Sequence, residues 1–533
     1  MPPGSSAFST ATAAGLRVGV VRNPLCPARP PLAGGLLLVL VLGKLAAHFV
    51  VTLTSSYGIH RDEFLYLSMG HYLELWRMFF PPGIALLAEA ARGLFGDTLF
   101  AIRFFPAVAG AALVGLTMLA TRELGGGRFA QGLAGLIVLT NGLFLRTATL
   151  FQPVVFDQLW WTLGGYALIR LAGGGSRRWW FVLGAAGGLG LLNKFSIAFF
   201  GFGVGVAFLL TPWRKTLLTP WPWLAGALAA GLGSPSVVGQ LRLGVPVLGH
   251  MRTLQEQQLH RLSALDFLSG QLLMFGPALV VALVGLVRLL RRPATNPFPV
   301  VGWAMLVPFV TLFALHGKAY YAGPIFPVLF AAGAVAFDPP ARGWGRAGRG
   351  LLYGLIAGFA AFALPFGLPV LPPEAMARWS ARLGVTGAVT SNRGEVLPLP
   401  QDYADMLGWE EMVRAVAKVY QALPAEQQAQ AIVLAANYGE AGAIDFYGPR
   451  LGLPRAVCTS GGYWYFGPGD RPGRVAVAMG IDQPSLLKFF ARSRVVGQFD
   501  HPWMVPEERR RDISVAEEPF RPIQEVWPSI GER

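Results

Sequence analysis

The sequence predicts a polytopic α-helical membrane protein of about 11 transmembrane helices with a small C-terminal α/β domain, and three observations predict it. Of 533 residues, 53% are hydrophobic and only 14% charged, against roughly 25% charged in an ordinary soluble domain; mean hydropathy is +0.48. A hydrocarbon core about 30 Å thick requires about 20 apolar residues per helix. That ruler marks eleven runs, near 32–53, 97–121, 129–145, 154–172, 179–193, 195–211, 221–240, 265–288, 297–315, 321–337 and 350–371. From about residue 372 the long apolar runs stop. A soluble globular enzyme is thereby excluded. The 67 Gly and 41 Pro are scattered through apolar sequence without a fixed period, so collagen, disorder and solenoid repeats drop out as well.

The chain divides into an N-terminal segment (1–31), a transmembrane domain (32–371) with a long loop at 54–96, and a tail domain (372–533). The first apolar run follows Arg17, Arg22 and Arg29 but is too long for the h-region of a signal peptide, so a retained helix is expected. Lys and Arg mark cytoplasmic loops. The richer set includes Arg122 and Arg128, Arg170, Arg177 and Arg178, Arg214 and Lys215, Arg288, Arg291 and Arg292, and Arg342, Arg346 and Arg349. This set places the N-terminus inside. Loops 54–96, 146–153, 193–195, 241–264 and 316–320, with the whole tail, then lie outside. A net charge of +15 is topological in origin, and no nucleic-acid partner is expected. Cys26 and Cys458 fall on opposite sides and should not pair. In the tail, 400–423 has helical periodicity, and 431–436, 474–480 and 494–499 are short β-like runs between Gly- and Pro-rich turns.

Candidate chemistry gathers on the outer side. Asp62 and Glu63 stand side by side just beyond the first helix, where an N-cap or a solvated charge pair is the plain alternative. Tyr66, Met69, Leu73 and Trp76 follow at helical spacing, which predicts an interfacial helix with its apolar side toward lipid. Asp157 lies at the outer edge of the fourth run, at a depth where an ionisable group is tolerated. Lys194 occupies a tight hairpin, and Lys318 precedes Tyr320 and Tyr321. Each lysine could simply snorkel and each tyrosine belong to an interfacial belt. Together, three acids and two lysines on one face suit an anionic lipid-linked substrate, with lysines for phosphate and carboxylates for a base or a metal.

The acid pair, Pro81-Pro82, LFGDTLFAIRFFPAVAG, RELGGGRFAQGLAGL, FDQLWW, LGLLNKFS and KAYYAGPIFPVL resemble, in that order over 55–340, bacterial glycosyltransferase family 39. These are GT-C enzymes related to protein mannosyltransferases and to the lipid A aminoarabinose transferase. The tail strings QDYADMLGW and ANYGEAGAIDFYG are similar to tails of bacterial members. The resemblance implies transfer of a sugar from a polyprenyl-phosphate donor to a hydroxyl of a glycan, lipid or protein acceptor at the outer face of the cell membrane, usually with inversion. It matches Asp62 to the catalytic base, Glu63 to its neighbour and Asp157 to the second acid, and it places Lys318, Tyr320 and Tyr321 near the donor phosphate. Where relatives often carry a polar or charged residue before Pro-Pro, this chain has Phe79 and Phe80.

On this reading Asp62 takes the acceptor proton. Glu63 and Asp157 orient the acceptor or hold a divalent cation, and Lys194, Lys318, Tyr320 and Arg61 steady the phosphate. Carboxylates without a His or Cys cluster favour Mg²⁺ or Mn²⁺, although His60 adjoins the pair, and phosphate held by lysines can leave without any metal. The rival class is a transporter or flippase of a lipid-linked or anionic solute, for which Lys44 and His48 in the first helix are the obvious intramembrane candidates. A catalytically dead scaffold with a partner-binding tail is a third.

Overall fold

The computed structural model describes residues 29–291, 296–338, 345–384 and 386–531. Arg17, Arg22, Cys26, Arg292 and Arg342 lie outside the described residues. The helical domain comprises α1 (Gly34–Thr54), α2 (Arg61–His71), α3 (Gly83–Phe95), α4 (Leu99–Glu123), α5 (Arg128–Thr140), α6 (Gly142–Thr149), α7 (Pro153–Ala172) and α8 (Arg178–Asn193). It continues through α9 (Ile197–Leu210), α10 (Pro220–Arg242), α11 (Pro246–Gln257), α12 (Ala264–Phe275), α13 (Ala278–Leu290), α14 (Pro299–Ala314), α15 (Phe326–Ala334) and α16 (Arg346–Gly367). All eleven apolar runs of the sequence are helical, but not all are straight spans. Among the described residues, five helices are long and apolar enough to cross a membrane, and three bent pairs raise that number to eight.

The bends have local causes. Between α12 and α13 the axis turns by 110° at Gly276, whose φ of +47° with ψ −128° is a conformation that residues with a Cβ disfavour. Between α5 and α6 it turns by 56°, and there the Asn141 side chain accepts the Leu143 N–H to cap a new helix. Exposed Leu38, Val39, Val50, Leu53, Leu283 and Leu355 give α1, α13 and α16 apolar outer faces suited to lipid.

The tail folds as a five-stranded sheet of order β2-β1-β3-β5-β4, built from β1 (Ala431–Ala435), β2 (Ala456–Val457), β3 (Val475–Met479), β4 (Phe490–Asp500) and β5 (Arg510–Pro519). The β1–β2 and β1–β3 pairs are parallel, the other two antiparallel. The expected helix over 400–423 is two helices, Gln401–Ala404 and Trp409–Gln421, because Gly408 between them takes φ +78°. One sheet face, with Ala431, Val433 and Val477, shares a core with the loop helices through Phe64, Ile84 and Trp409.

That shared core corrects one expectation. α2 does not rest its apolar side on lipid. It ends at His71, before Leu73 and Trp76, and Phe64 and Met69 are fully buried. Phe64 meets the rings of Trp409, Phe446 and Tyr447 edge-on, so the tail roofs this helix and supplies the apolar surface it needs.

Candidate functional site

α2 begins with a capping box. The imidazole Nδ1 of His60 accepts the Asp62 N–H at 3.0 Å, and the Glu63 carboxylate accepts the His60 N–H at 2.7 Å. The Nδ1 lone pair is thereby occupied, so the ring proton sits on Nε2, 3.8 Å from both Asp402 and Asp405 of the tail. His60 is buried, and burial alone would lower its pKa. The carboxylates of Asp402, Asp62 and Asp405 favour the charged ring, whereas an Nδ1 that accepts the Asp62 N–H favours the neutral one.

The two adjacent acids have different fates. Glu63 is fully buried; besides the cap it accepts the Phe151 N–H at 2.7 Å and pairs with the buried Arg103 at 3.3 Å. Its oxygens hold loop 54–96 against α4 and the turn before α7, a bracing position rather than an open one. Asp62 is half-buried. Its Oδ1 accepts from the Tyr438 hydroxyl at 2.8 Å and its Oδ2 from Gln152 Nε2 at 3.1 Å. Two neutral donors leave one lone pair on each oxygen.

Asp157 sits deeper. It is buried and accepts from Trp161 Nε1 at 3.1 Å and from the Ser196 hydroxyl at 2.7 Å. The charge of Lys194 faces it, and the Lys194 ammonium lies 5.5 Å from the Tyr321 ring centroid. Tyr321 meets Tyr320 edge-on at 4.7 Å, and Tyr320 feels the charges of Asp402 and Asp62, so the two tyrosines bridge the Asp157 and Asp62 regions. Lys318 donates to Gln258 at 2.6 Å and to Asn392 at 2.7 Å. Burial pushes its ammonium down to about 8, against the attraction of Asp402 and Asp62. Among the described residues neither Lys194 nor Lys318 forms an ion pair within 4 Å.

Arg61 is not free for phosphate. It lies 3.7 Å from Asp405 and from Glu507 and 3.9 Å from Glu508, with its guanidinium 5.6 Å from the Tyr438 ring centroid, so it fastens the tail to the loop. Among the described residues no three His, Cys, Asp or Glu side chains are grouped to hold an ion. Phe79, standing where relatives are polar, stacks on Tyr465 at 5.5 Å, and Phe80 meets His250.

Sequence reasoning missed the partners the tail sends into the site. Tyr438, Asp402 and Asp405 all belong to the tail strings that carried the resemblance, but contacts across 376 residues, as between Asp62 and Tyr438, leave no spacing signal. Arg146, paired with Asp402 at 2.6 Å, opens loop 146–153, where no spacing ties it to a partner 256 residues away.

Residues 80–238 match the family model described as dolichyl-phosphate-mannose-protein mannosyltransferase, a stretch that includes Pro81, Pro82, Asp157 and Lys194. The crystal structure of ArnT from Cupriavidus metallidurans bound to undecaprenyl phosphate superposes with a TM-score of 0.59 at 18% identity, covering 90% of this chain and 98% of that one. The same protein in the apo state gives 0.58, also at 18% identity, with the same coverage. No curated protein sequence matches. This chain has the fold of that ArnT structure. The resemblance seen in the sequence is thus matched by a family model over part of the chain and by architecture over nearly all of it.

Proposed function

We propose that this GT-C chain transfers a sugar from a polyprenyl-phosphate donor to an acceptor hydroxyl, with inversion, at the extracytoplasmic face of the membrane. The observation that carries the reading is the Asp62 carboxylate. It is held by neutral donors from two elements with a lone pair left on each oxygen, on the same end of the molecule as Lys194 and Lys318, neither of which forms an ion pair within 4 Å among the described residues. Asp62 takes the acceptor proton as the hydroxyl attacks the anomeric carbon, and the departing lipid phosphate gains charge beside Lys318 and Lys194. A positioned base contributes about 10²- to 10⁴-fold. Preorganised cations act where charge develops. No step is routed through a metal.

The ArnT structure with undecaprenyl phosphate supports a lipid-phosphate donor. The transporter reading loses its main support, because Lys44 donates to the carbonyls of Leu139 and Phe144 at 3.2 and 3.0 Å and so stabilises the α5/α6 break rather than lining a path. His48 contacts Thr149 beside it. Membranes incubated with radiolabelled polyprenyl-phosphate sugars should yield labelled lipid, glycan or protein, and label confined to the donor with every sugar tried would sink the proposal. The N-inside, C-outside orientation requires that alkaline phosphatase fused after residue 372 be active; an inactive fusion would put the site on the cytoplasmic side.

A further inference from the structure

Strands alternate faces, so in β1 the side chains of Ala431 and Val433 meet the core shared with α2, while Ile432 and Leu434 point to the other side of the sheet. That second face is turned away from Asp62. It is covered incompletely by the segments around 481–490 and 519–530, which leave a cavity of about 350 Å³, within the roughly 300–1,000 Å³ usual for ligand pockets. Its walls are apolar, with Leu434, Val457, Leu486, Phe490, Ile523 and Val526 among them. Two charged residues line it, Lys488 and Arg521, and both are basic. Arg521 is shared with Glu525 at 3.2 Å, whereas Lys488 makes no ion pair within 4 Å among the described residues. Leu487, Phe489 and Phe520 are exposed near the rim, Phe520 at 64%.

An apolar cavity of this size with a cationic rim has the recognition chemistry of a single hydrocarbon chain ending in a negative charge. We propose that the tail domain binds the acyl chain of an anionic amphiphile here, with its headgroup at Lys488 and Arg521. The site is separate from the Asp62 region and its test does not depend on transfer activity. The amphiphile would be either a free fatty acid or an anionic membrane lipid.

The test uses the full chain in lipid nanodiscs, with two photoreactive probes: diazirine-dodecanoate added from solution, and diazirine-tagged phosphatidylglycerol built into the disc. Adducts mapped by mass spectrometry should fall within 481–490 and 519–530. Adducts from the dissolved probe alone identify a free acid, and adducts from the disc-borne probe identify a membrane lipid. Competition by unlabelled acids should tighten about fourfold per methylene from octanoate toward dodecanoate until the cavity is full. Leu434→Trp should abolish labelling by filling the cavity. Lys488→Glu, an exposed change that leaves the fold intact, should weaken dodecanoate about fivefold and leave dodecanol unchanged. Absence of adducts in these segments from both probes, or equal competition by dodecyltrimethylammonium and dodecanoate, would overturn the proposal.

Discussion

The two ends of the helical domain carry similar residues and treat them differently. At the arginine-rich end, buried Glu123 is surrounded by Arg29 at 2.7 Å, Arg170 at 3.4 Å and Arg122 at 3.6 Å, and Asp338 accepts the N–H groups of Gly127 and Ala130 at the start of α5. Each of these acids is answered by a cation or a helix N-terminus. At the opposite end, Asp62 is held by a phenol and an amide, Lys194 faces Asp157, and Lys318 is held by two neutral side chains with no ion pair within 4 Å among the described residues. Charges that only build the fold are compensated locally, while those left without a counter-charge wait for one from a substrate.

The largest effect expected from this contrast is at Asp62. Asp62→Asn keeps both the Tyr438 and Gln152 contacts feasible but cannot accept a proton at neutral pH, so turnover should fall at least about 10²-fold with the melting temperature nearly unchanged. Turnover above about a tenth of the native value would require another base. Its neighbour should behave in the opposite way. Glu63→Gln leaves Arg103 buried without its counter-charge, a loss of about 3–5 kcal/mol, read as a large drop in melting temperature. Any of that protein that folds should turn over in proportion to its folded fraction; full stability with lost activity would return Glu63 to the chemistry.

Between these extremes lies a paired comparison. Lys318→Ala should raise the donor KM and lower kcat/KM by about tenfold or more, since the phosphate is charged when bound and more so as the sugar leaves; Lys318→Arg should recover part of it. Glu123→Gln at the other end should reduce stability and leave both constants alone. Equal kinetic effects from the two ends would dissolve the distinction between them.

Why the acid pair could not be sorted from sequence follows from these contacts. Asp62 and Glu63 are adjacent and chemically alike, and only the arrival of Arg103, Phe151 and Tyr438 from distant segments separates a buried brace from an accessible base. The eleven apolar runs were legible because burial in lipid acts on every residue of a helix. The 110° turn at Gly276 was not, because hydropathy averages over the single residue that makes it. Three of the five strands stood out as apolar runs. β2, with two residues, and β5, with its charged start Arg510–Asp512, did not, since their pairing comes from neighbours rather than from their own composition. Lys194 and Lys318 share an end of the molecule with Asp62 because loops 54–96, 146–153, 193–195 and 316–320 meet there, as the contacts of Asp62 with Gln152 and Tyr438 and of Lys194 with Tyr321 record.

The smallest effect concerns a third kind of charge arrangement, where the site end meets the tail. Glu440 and Glu508 are both buried and share Arg511, which reaches them at 3.1 and 3.4 Å. Burial raises the pKa of each, and the repulsion between the two adds to it for Glu440; Arg511 opposes this in both. A carboxyl raised above its unfolded value of about 4.3 contributes stability that is complete below that pH and is lost as pH rises through the folded value. Asp402 acts in the opposite sense. Arg146 and His60 hold it well below the usual range, so its contribution is present above about 3.9 and is lost as pH falls. The native profile of melting temperature should therefore fall on both sides of an optimum. Glu440→Gln cannot ionise and should flatten only the limb toward higher pH, by no more than about 1.4 kcal/mol per pH unit. A Glu440→Gln profile parallel to the native one on that limb would show that the pair is already fully compensated by Arg511, making it an arrangement of the Glu123 kind.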